Sequence, residues 1–514
     1  GRVRHFTDNK DIDRYPHSLD DGRVGYTHWE YQERHFMEVH ALWSARPDGT
    51  QSDALFKHHM RAPLAMRDVR SIPGVADLVA TATGHHTFAF GPIVRLRPAV
   101  GLNSVAGLEV VTPGVRPQEG AMAGKPVPGG GVRDGGGLYQ TPWALSPNLF
   151  LAAYAYRRPK CTGTSGADAN GFGIYVIDSF GNRELLHRNP LLSACFPIPL
   201  RPRKRPPIIP SVVERRRDAV GLVSDVYDGL RGVKRGTVRY LRISQHVGWP
   251  FDNERGQMDY IPGTAGAKHT AFASWSPVRV LGTVPVEKDG SAHFTIPADT
   301  AVYFQALDEK RMEIRRMRSV VSLKAGETRG CRGCHESQAA APTMRVPLPL
   351  AAIAPPESPE PPAWGSDRLL GYEWLVQPIL GRNCIRCHGA QKPAGGIDFS
   401  ATRAKDGLLQ SFRTMVGLRA DGSKGKRLVS VSNRFGNAAV SGVKAFGSHR
   451  SPLATTLLQP PHRKRVQLPP TDWEALVTWI DANAPYYDTF LNKRPTGGGP
   501  PRREAYPPMP MGVE

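Results

Sequence analysis

The chain has 514 residues, 40% of them hydrophobic, with 67 Lys and Arg against 46 Asp and Glu for a formal charge of +21. That apolar share supports packed cores and excludes a disordered chain, and no run of about 18 apolar residues occurs that would span a membrane as a helix. The positive field favours acidic partners, but no DNA-binding motif accompanies it, so nucleic acid is not expected as a partner.

Residues 1–200 read as short β-strands cut by turns. Strands are predicted at Arg23–Trp29 after Asp21-Gly22, at Ala41–Ala45 before Pro47-Asp48-Gly49, and at Leu78–Thr83 and Ile93–Leu96. Further strands are predicted at Leu149–Tyr156 and Gly173–Asp178. Regular spacing of apolar-aromatic strands between Asp-Gly-type turns suggests a partial or degenerate β-propeller over 1–200. Ala99–Gly137, rich in Gly and Pro, reads as a long loop, and Pro197–Pro210 as an extended connector.

Residues 211–341 read as a β-rich middle domain, with strands at Gly221–Val226, Thr237–Ile243, Val278–Val284, Ala292–Ile296 and Val302–Leu307 and a hairpin signal at Asp289-Gly290. This domain runs into Cys331-Arg332-Gly333-Cys334-His335. Residues 342–365 form a Pro-rich linker. Residues 366–494 read as a small α-helical domain, with helical spacing over Leu369–Leu380 leading into Cys384-Ile385-Arg386-Cys387-His388, and a helix over Pro469–Ala484 capped by Thr471. Residues 495–514 read as a loose tail. The fold class expected is thus multidomain and mainly β, ending in a small helical module.

Both cysteine strings are C-x-x-C-H, the attachment signal of a c-type haem. Two thiols three residues apart reach the two vinyl groups on one porphyrin edge, and the next histidine lies under the iron. The strings use four of the six cysteines. Zinc is the competing reading, but Cys331 and Cys384 are 53 residues apart, and a four-thiolate site has no use for the two histidines. Cys331, Cys334, Cys384 and Cys387 are therefore assigned to two covalent haems, with His335 and His388 as iron ligands. Such attachment implies export to the periplasm or a similar extracytoplasmic place, and a start at Gly1 fits removal of a signal peptide.

The segment RVLGTVPVEKDGSAHF through GCRGCHE, the N-terminal DGRVGYTHWEY and ALWSARPDGT, and the C-terminal WLVQPILGRNCIRCHG and WEALVTWIDANAPYY resemble the hydrazine synthase alpha-subunit family in the same order. The resemblance implies a propeller-like N-terminal domain, a catalytic haem in the middle domain and an electron-transfer haem in a C-terminal cytochrome c domain. It also implies a tyrosine four residues past the first motif histidine, where this chain has Ala339, and it hints at a zinc ion held by Cys195 near the first haem. From the residues alone, a Cys161–Cys195 disulfide or a buried inert thiol stand equally open.

The sixth ligand of the second haem is expected from His462, which falls where the resembled family has a histidine pair, with His449 as the alternative and Met415, Met509 and Met511 behind it. At the first haem, His335 and Glu336 adjoin the iron, and His85 and His86 are the distal candidates for catalysis. The function expected is an exported di-haem cytochrome acting as an oxidoreductase or enzyme subunit, with a small-molecule site at the middle haem and an acidic redox partner, within a larger complex. The alternative is a non-catalytic electron-transfer or docking cytochrome.

Overall fold

The computed structural model describes residues 6–9, 12–30, 33–35, 37–85, 90–117, 138–155, 171–214, 217–247, 251–252, 257–258, 277–334, 348–405, 407–418, 425–432, 436, 438–486 and 488. The chain divides into two compact units, one of 1–213, 337–344 and 435–440, the other of 214–336, 345–434 and 441–514.

In the first unit, β1 (Ile12–Ser18), β2 (Val24–Trp29), β3 (His40–Ala45), β4 (Asp53–Phe56), β5 (Ala65–Ser71), β6 (Leu78–Thr83), β7 (Ile93–Leu96) and β8 (Leu108–Val110) share one sheet. Its order is β1-β2-β3-β5-β6-β7-β8, with β4 also paired to β3. β9 (Leu138–Ser146), β10 (Leu149–Ala155), β11 (Gly173–Asp178) and β12 (Arg183–His187) form a second sheet in the order β12-β11-β10-β9. β6 (LVATAT) is buried along its whole length, which suits a central strand of small and β-branched side chains packed on both faces. Leu42, Phe56, Met66, Val69, Val94 and Leu96 lie at the centre of one core of this unit.

This arrangement corrects the expected propeller. A propeller needs separate four-stranded blades around a channel, but here a parallel pairing of His40 with Ala65 joins two meanders edge to edge into one eight-stranded sheet. No sheet among the described residues closes into a propeller or barrel. Strand-turn periodicity reports meanders, and it carries no information on which meander edges later pair. The expected loop at 99–137 also contains β8, and its residues 118–137 lie outside the described residues.

In the second unit, β13 (Ala219–Val223), β14 (Tyr240–His246), the short pair β15 (Phe251–Asp252) and β16 (Gln257–Met258), β17 (Val278–Pro285), β18 (Ala292–Ile296), β19 (Val302–Leu307), β20 (Glu313–Arg316) and β21 (Thr328–Cys331) form three sheets. The two larger ones run β18-β13-β21 and β17-β14-β19-β20. β13 and β18 alternate buried and half-buried positions and meet the other sheet over Leu241, Ile243, Leu281, Val284, Phe294 and Ile296. The turn at Asp289-Gly290 forms, with Gly290 donating to the Glu287 carbonyl at 2.8 Å. It does not close a hairpin, because β17 and β18 belong to different sheets and the turn is the corner between them. The proline-rich stretch lies along these strands: Thr283 donates to the Glu360 carbonyl at 2.9 Å, and Thr295 to that of Glu357 at 2.9 Å.

The smaller helical region comprises α1 (Gln377–Asn383), α2 (Ile385–His388), α3 (Gln410–Val416), α4 (Pro452–Leu457), α5 (His462–Arg465) and α6 (Pro470–Asp481). A single π-turn at Tyr372–Val376 leads into α1, where helical spacing had suggested one helix. α6 begins with Pro469 at the cap and Pro470 as its first residue, so Thr471 lies inside the first turn instead of capping it. Its Leu476, Trp479 and Ile480 pack with Tyr372, Phe412 and Tyr486. α3 stops at Gly417, whose φ of 70° permits the left-handed turn that returns its N–H to the Arg413 and Thr414 carbonyls.

Candidate functional site

The second C-x-x-C-H string folds as a tight bend at the end of α1. The N–H groups of Cys387 and His388 both donate to the Cys384 carbonyl, at 3.1 and 2.9 Å, and this gathers the two thiols and the imidazole on one short turn. Cys384 is half-buried against the helical core and Cys387 is exposed. Burial, with a lesser contribution from Cys387, pushes the Cys384 thiol up to about 11, which keeps it a neutral thiol at ordinary pH.

His388 is fixed by its neighbours. Its Nδ1 lies 3.1 Å from the Ala394 carbonyl and 3.2 Å from that of Ile397. Carbonyl oxygens only accept, so Nδ1 donates to them, which leaves Nε2 as the nitrogen that would serve as a ligand. That is the tautomer a metal ligand needs, held by the kind of carbonyl contact that orients ligating histidines. Phe399 packs at a ring-centre distance of 5.4 Å.

Opposite His388 stands His462, the first residue of α5. The two ring centres are 6.3 Å apart and the planes differ by 14°. Two metal–imidazole bonds of about 2 Å each, plus the reach from each nitrogen to its ring centre, separate opposed axial imidazoles by about 6 Å. If a haem were bound here, His388 and His462 would be the residues to hold its iron and Cys384 and Cys387, on the same short turn as His388, the thiols to anchor it; the ring spacing is compatible with that. His449 is engaged elsewhere: its Nε2 lies 3.0 Å from Asp308 Oδ2. Asp308 is pushed up by burial, yet the His449 imidazole and backbone N–H groups outweigh this and hold its carboxyl below the usual range. Met415 is fully buried in the helical core, and Met509 and Met511 lie outside the described residues.

The first string has a different setting. Cys331 ends β21, which runs parallel to β13 with Cys331 opposite Val223. Ser224 and Asp225 donate to the Cys331 and Arg332 carbonyls at 2.8 and 2.9 Å, so the strand pairing extends into the motif. Cys331 and Cys334 are half-buried against the β core. Arg315 donates to the Gly229 carbonyl at 2.9 Å, and burial holds its guanidinium below the ordinary value against the Cys334 thiol. His335 and Glu336 lie outside the described residues.

Of the distal candidates, His86 lies outside the described residues. His85 Nδ1 is 2.7 Å from His40 Nε2, and Trp29 stacks on His40 with ring centres 4.6 Å apart. Burial, helped by His85 and Arg67, keeps His40 neutral, well below its usual range. Cys195 accepts a hydrogen bond from Gln140 Nε2 at 3.1 Å beside Phe90 and Phe172, while Cys161 lies outside the described residues. Among the described residues no group of three His, Cys, Asp or Glu side chains is placed to hold a metal ion.

One charged cluster in the first unit had no signal in the sequence. His28 Nδ1 donates to Asp13 Oδ1 at 2.7 Å, its Nε2 is 3.3 Å from Glu30 Oε1, and Glu30 pairs with Arg34. Burial pushes the His28 imidazolium down, but Asp13 and Glu30 overcome this and raise it to about 9. Asp13 faces His28 through the register of β1 on β2; two residues 15 apart in sequence meet only once that register is known.

Residues 236–336 match the family model of the hydrazine synthase alpha-subunit middle domain. The hydrazine synthase structure from Kuenenia stuttgartiensis is similar in fold, with a TM-score of 0.66 at 15% identity, covering 92% of this chain and 69% of that one. No curated protein matches in sequence. Residues 236–336 are thus related to that middle domain, and the chain as a whole shares the fold of the hydrazine synthase structure. No described helix is long and apolar enough to cross a membrane.

Proposed function

We propose that this chain is an exported di-haem c-type cytochrome, in which a haem on Cys384 and Cys387 exchanges electrons and a haem on Cys331 and Cys334 offers a small-molecule site. The observation that carries the reading is the near-parallel pair His388 and His462 beside one half-buried and one exposed thiol, Cys384 and Cys387. When bound there, a haem supplies reversible one-electron transfer, and two imidazole ligands leave it no open position for substrate. The chain's own part is to fix the His388 tautomer through the Ala394 and Ile397 carbonyls and to hold the His462 ring parallel to it. At the first motif, support comes from the paired thiols at a strand end and from the match of 236–336 to the hydrazine synthase alpha middle domain. There the reading is an oxidoreductase site for small nitrogen- or oxygen-containing molecules.

The test is expression in a host that attaches haem c, followed by peptide mass mapping and electron paramagnetic resonance. Tetrapyrrole is expected on both cysteine pairs, with one low-spin signal that His462→Ala converts to high spin while the covalent haem stays. A high-spin second signal at the first motif supports a substrate site; two low-spin haems favour a purely electron-transferring protein. Absence of tetrapyrrole from the Cys384–Cys387 peptide overturns the reading.

A further inference from the structure

The segments that bracket the His388–His462 pair, residues 385–397 and 459–471, contain no Asp or Glu. They carry Arg386 and Lys392 on one side and Arg463, Lys464 and Arg465 on the other, all exposed. None of these five has a carboxylate partner among the described residues. Basic residues farther along the same region do: Arg382 forms a two-pronged pair with Asp472 at 2.9 and 3.0 Å, and Arg403 pairs with Glu373. Charge left without a partner on one face, where neighbouring arginines are neutralised, concentrates field at that face. Beside Arg386, Ile385 is 44% exposed and Cys387 is exposed, so apolar surface accompanies the basic residues, as it does in protein-docking patches.

We propose that this α2–α5 face is the docking surface for an acidic redox protein, whose carboxylates meet Arg386, Lys392, Arg463, Lys464 and Arg465 while its own cofactor approaches the His388–His462 site. The inference rests on the reading of that pair as haem ligands and goes beyond it by naming the face and the charge of the partner. Electron transfer here balances simply: one electron leaves the reduced haem and one acceptor is reduced, with no bond made or broken. Complementary charge acts mainly on encounter rate, so its signature is kinetic and depends on salt.

The experiment oxidises the reduced, full-length, haem-loaded chain with hexacyanoferrate(III), an anion, or tris(phenanthroline)cobalt(III), a cation. It follows the low-spin haem in stopped flow, with and without poly-L-glutamate as an acidic polypeptide probe. For the parent, the rate with the anion is expected to fall by at least about tenfold between low ionic strength and near-molar salt, while the rate with the cation rises. Poly-L-glutamate should slow the anion further. The variant Arg463→Glu/Lys464→Glu/Arg465→Glu should reverse both salt trends and lose the poly-L-glutamate effect. A control, Arg201→Glu/Lys204→Glu/Arg205→Glu, makes the same change in net charge on exposed residues of the other unit and should behave as the parent. Equal shifts in both variants would mean that only overall charge matters and overturn the proposal, as would rates indifferent to salt. If no haem is attached at Cys384 and Cys387, the underlying reading fails first and this inference with it, a result the absorbance spectrum distinguishes before any kinetics.

Discussion

Arg242 and Asp481 approach to 3.6 Å with both side chains closed off from solvent, at 1% and 0% exposure. Arg242 belongs to β14 and Asp481 to the last turn of α6, so the pair ties the β-rich part of the second unit to its helical region. Around them, Glu313 and Ser448 donate backbone N–H groups to the two Asp481 oxygens at 3.1 and 2.7 Å, and Arg316 pairs with Glu313 at 2.9 Å. Two buried cations face two buried carboxylates. Burial raises Asp481, against the pull of Arg242 and Ser448, yet the pairing makes the charge tolerable where either charge alone is not.

Removing one partner is therefore expected to be expensive. Asp481→Ala should destabilise the second unit by about 3–5 kcal/mol, because Arg242 is left as an uncompensated buried charge. Chemical denaturation followed by tryptophan fluorescence checks this, since Trp479 lies in the same helix core. A loss below about 1 kcal/mol would place the stability of that junction in its apolar packing alone.

His28 gives a pH signature to the first unit. Its folded value of about 9 lies above the ordinary 6.5, so its contribution is fully present below about pH 6.5 and is lost as pH rises through 9. The ceiling on that contribution is about 3 kcal/mol. Lys57 works in the opposite sense: burial, against Glu38, holds its amine down to about 7, so its effect favours the fold as pH rises from there. The quantity to measure is hence the stability difference between the parent and His28→Gln. It should be largest near pH 6 and shrink by pH 9.5; a difference that does not vary with pH removes His28 from the titration.

Gly333, the glycine of the first C-x-x-C-H string, has no room for a methyl group. A Cβ there would lie 2.4 Å from the Asp228 carbonyl oxygen and 2.8 Å from that of Asp225, both backbone atoms that side-chain rotation cannot move. Gly333→Ala should displace the Cys331–Cys334 turn, at a cost of about 1–3 kcal/mol, and impair haem attachment at that motif alone. Mass mapping would then find tetrapyrrole on Cys384 and Cys387 and a reduced yield on Cys331 and Cys334. Equal loss at both motifs would point to general misfolding.

Much of the local structure was legible because it is local. Ile93–Leu96, Gly173–Asp178, Ala292–Ile296 and Val302–Leu307 begin and end where turn residues and apolar alternation place them, as period-two patterns with Gly or Asp breaks require. What stayed hidden is pairing at long range. Nothing in the local pattern around His40 announces Ala65 as its neighbour, and that contact is what turns expected blades into one open sheet. β1, β12 and β21 escaped because charged or exposed residues break their alternation; their strand character comes from the neighbour they pair with. At the candidate site, the C-x-x-C-H spacing was readable from sequence, and His462 was named through the family resemblance. The Ala394 and Ile397 carbonyls that set the His388 tautomer were not, since any residue supplies a carbonyl.

The His388–His462 geometry carries a quantitative consequence for the electron-transfer reading. Replacing His462 by Met exchanges an imidazole for a thioether, which favours the reduced metal, so the reduction potential of the second haem should rise. α5 is a single turn with His462 at its start and Arg463–Arg465 exposed, and the ring is only half-buried, so the substitution disturbs no core. Covalent attachment should persist, because Cys384 and Cys387 are unchanged and the His388 hydrogen bonds to Ala394 and Ile397 do not involve α5. A redox titration followed in the α-band reads the potential directly. His462→Met is expected to raise it and His462→Lys, with an amine donor, to leave it low. If His462→Met leaves both potential and spin state as in the parent, the ligand opposite His388 is another residue, and the parallel rings reflect packing.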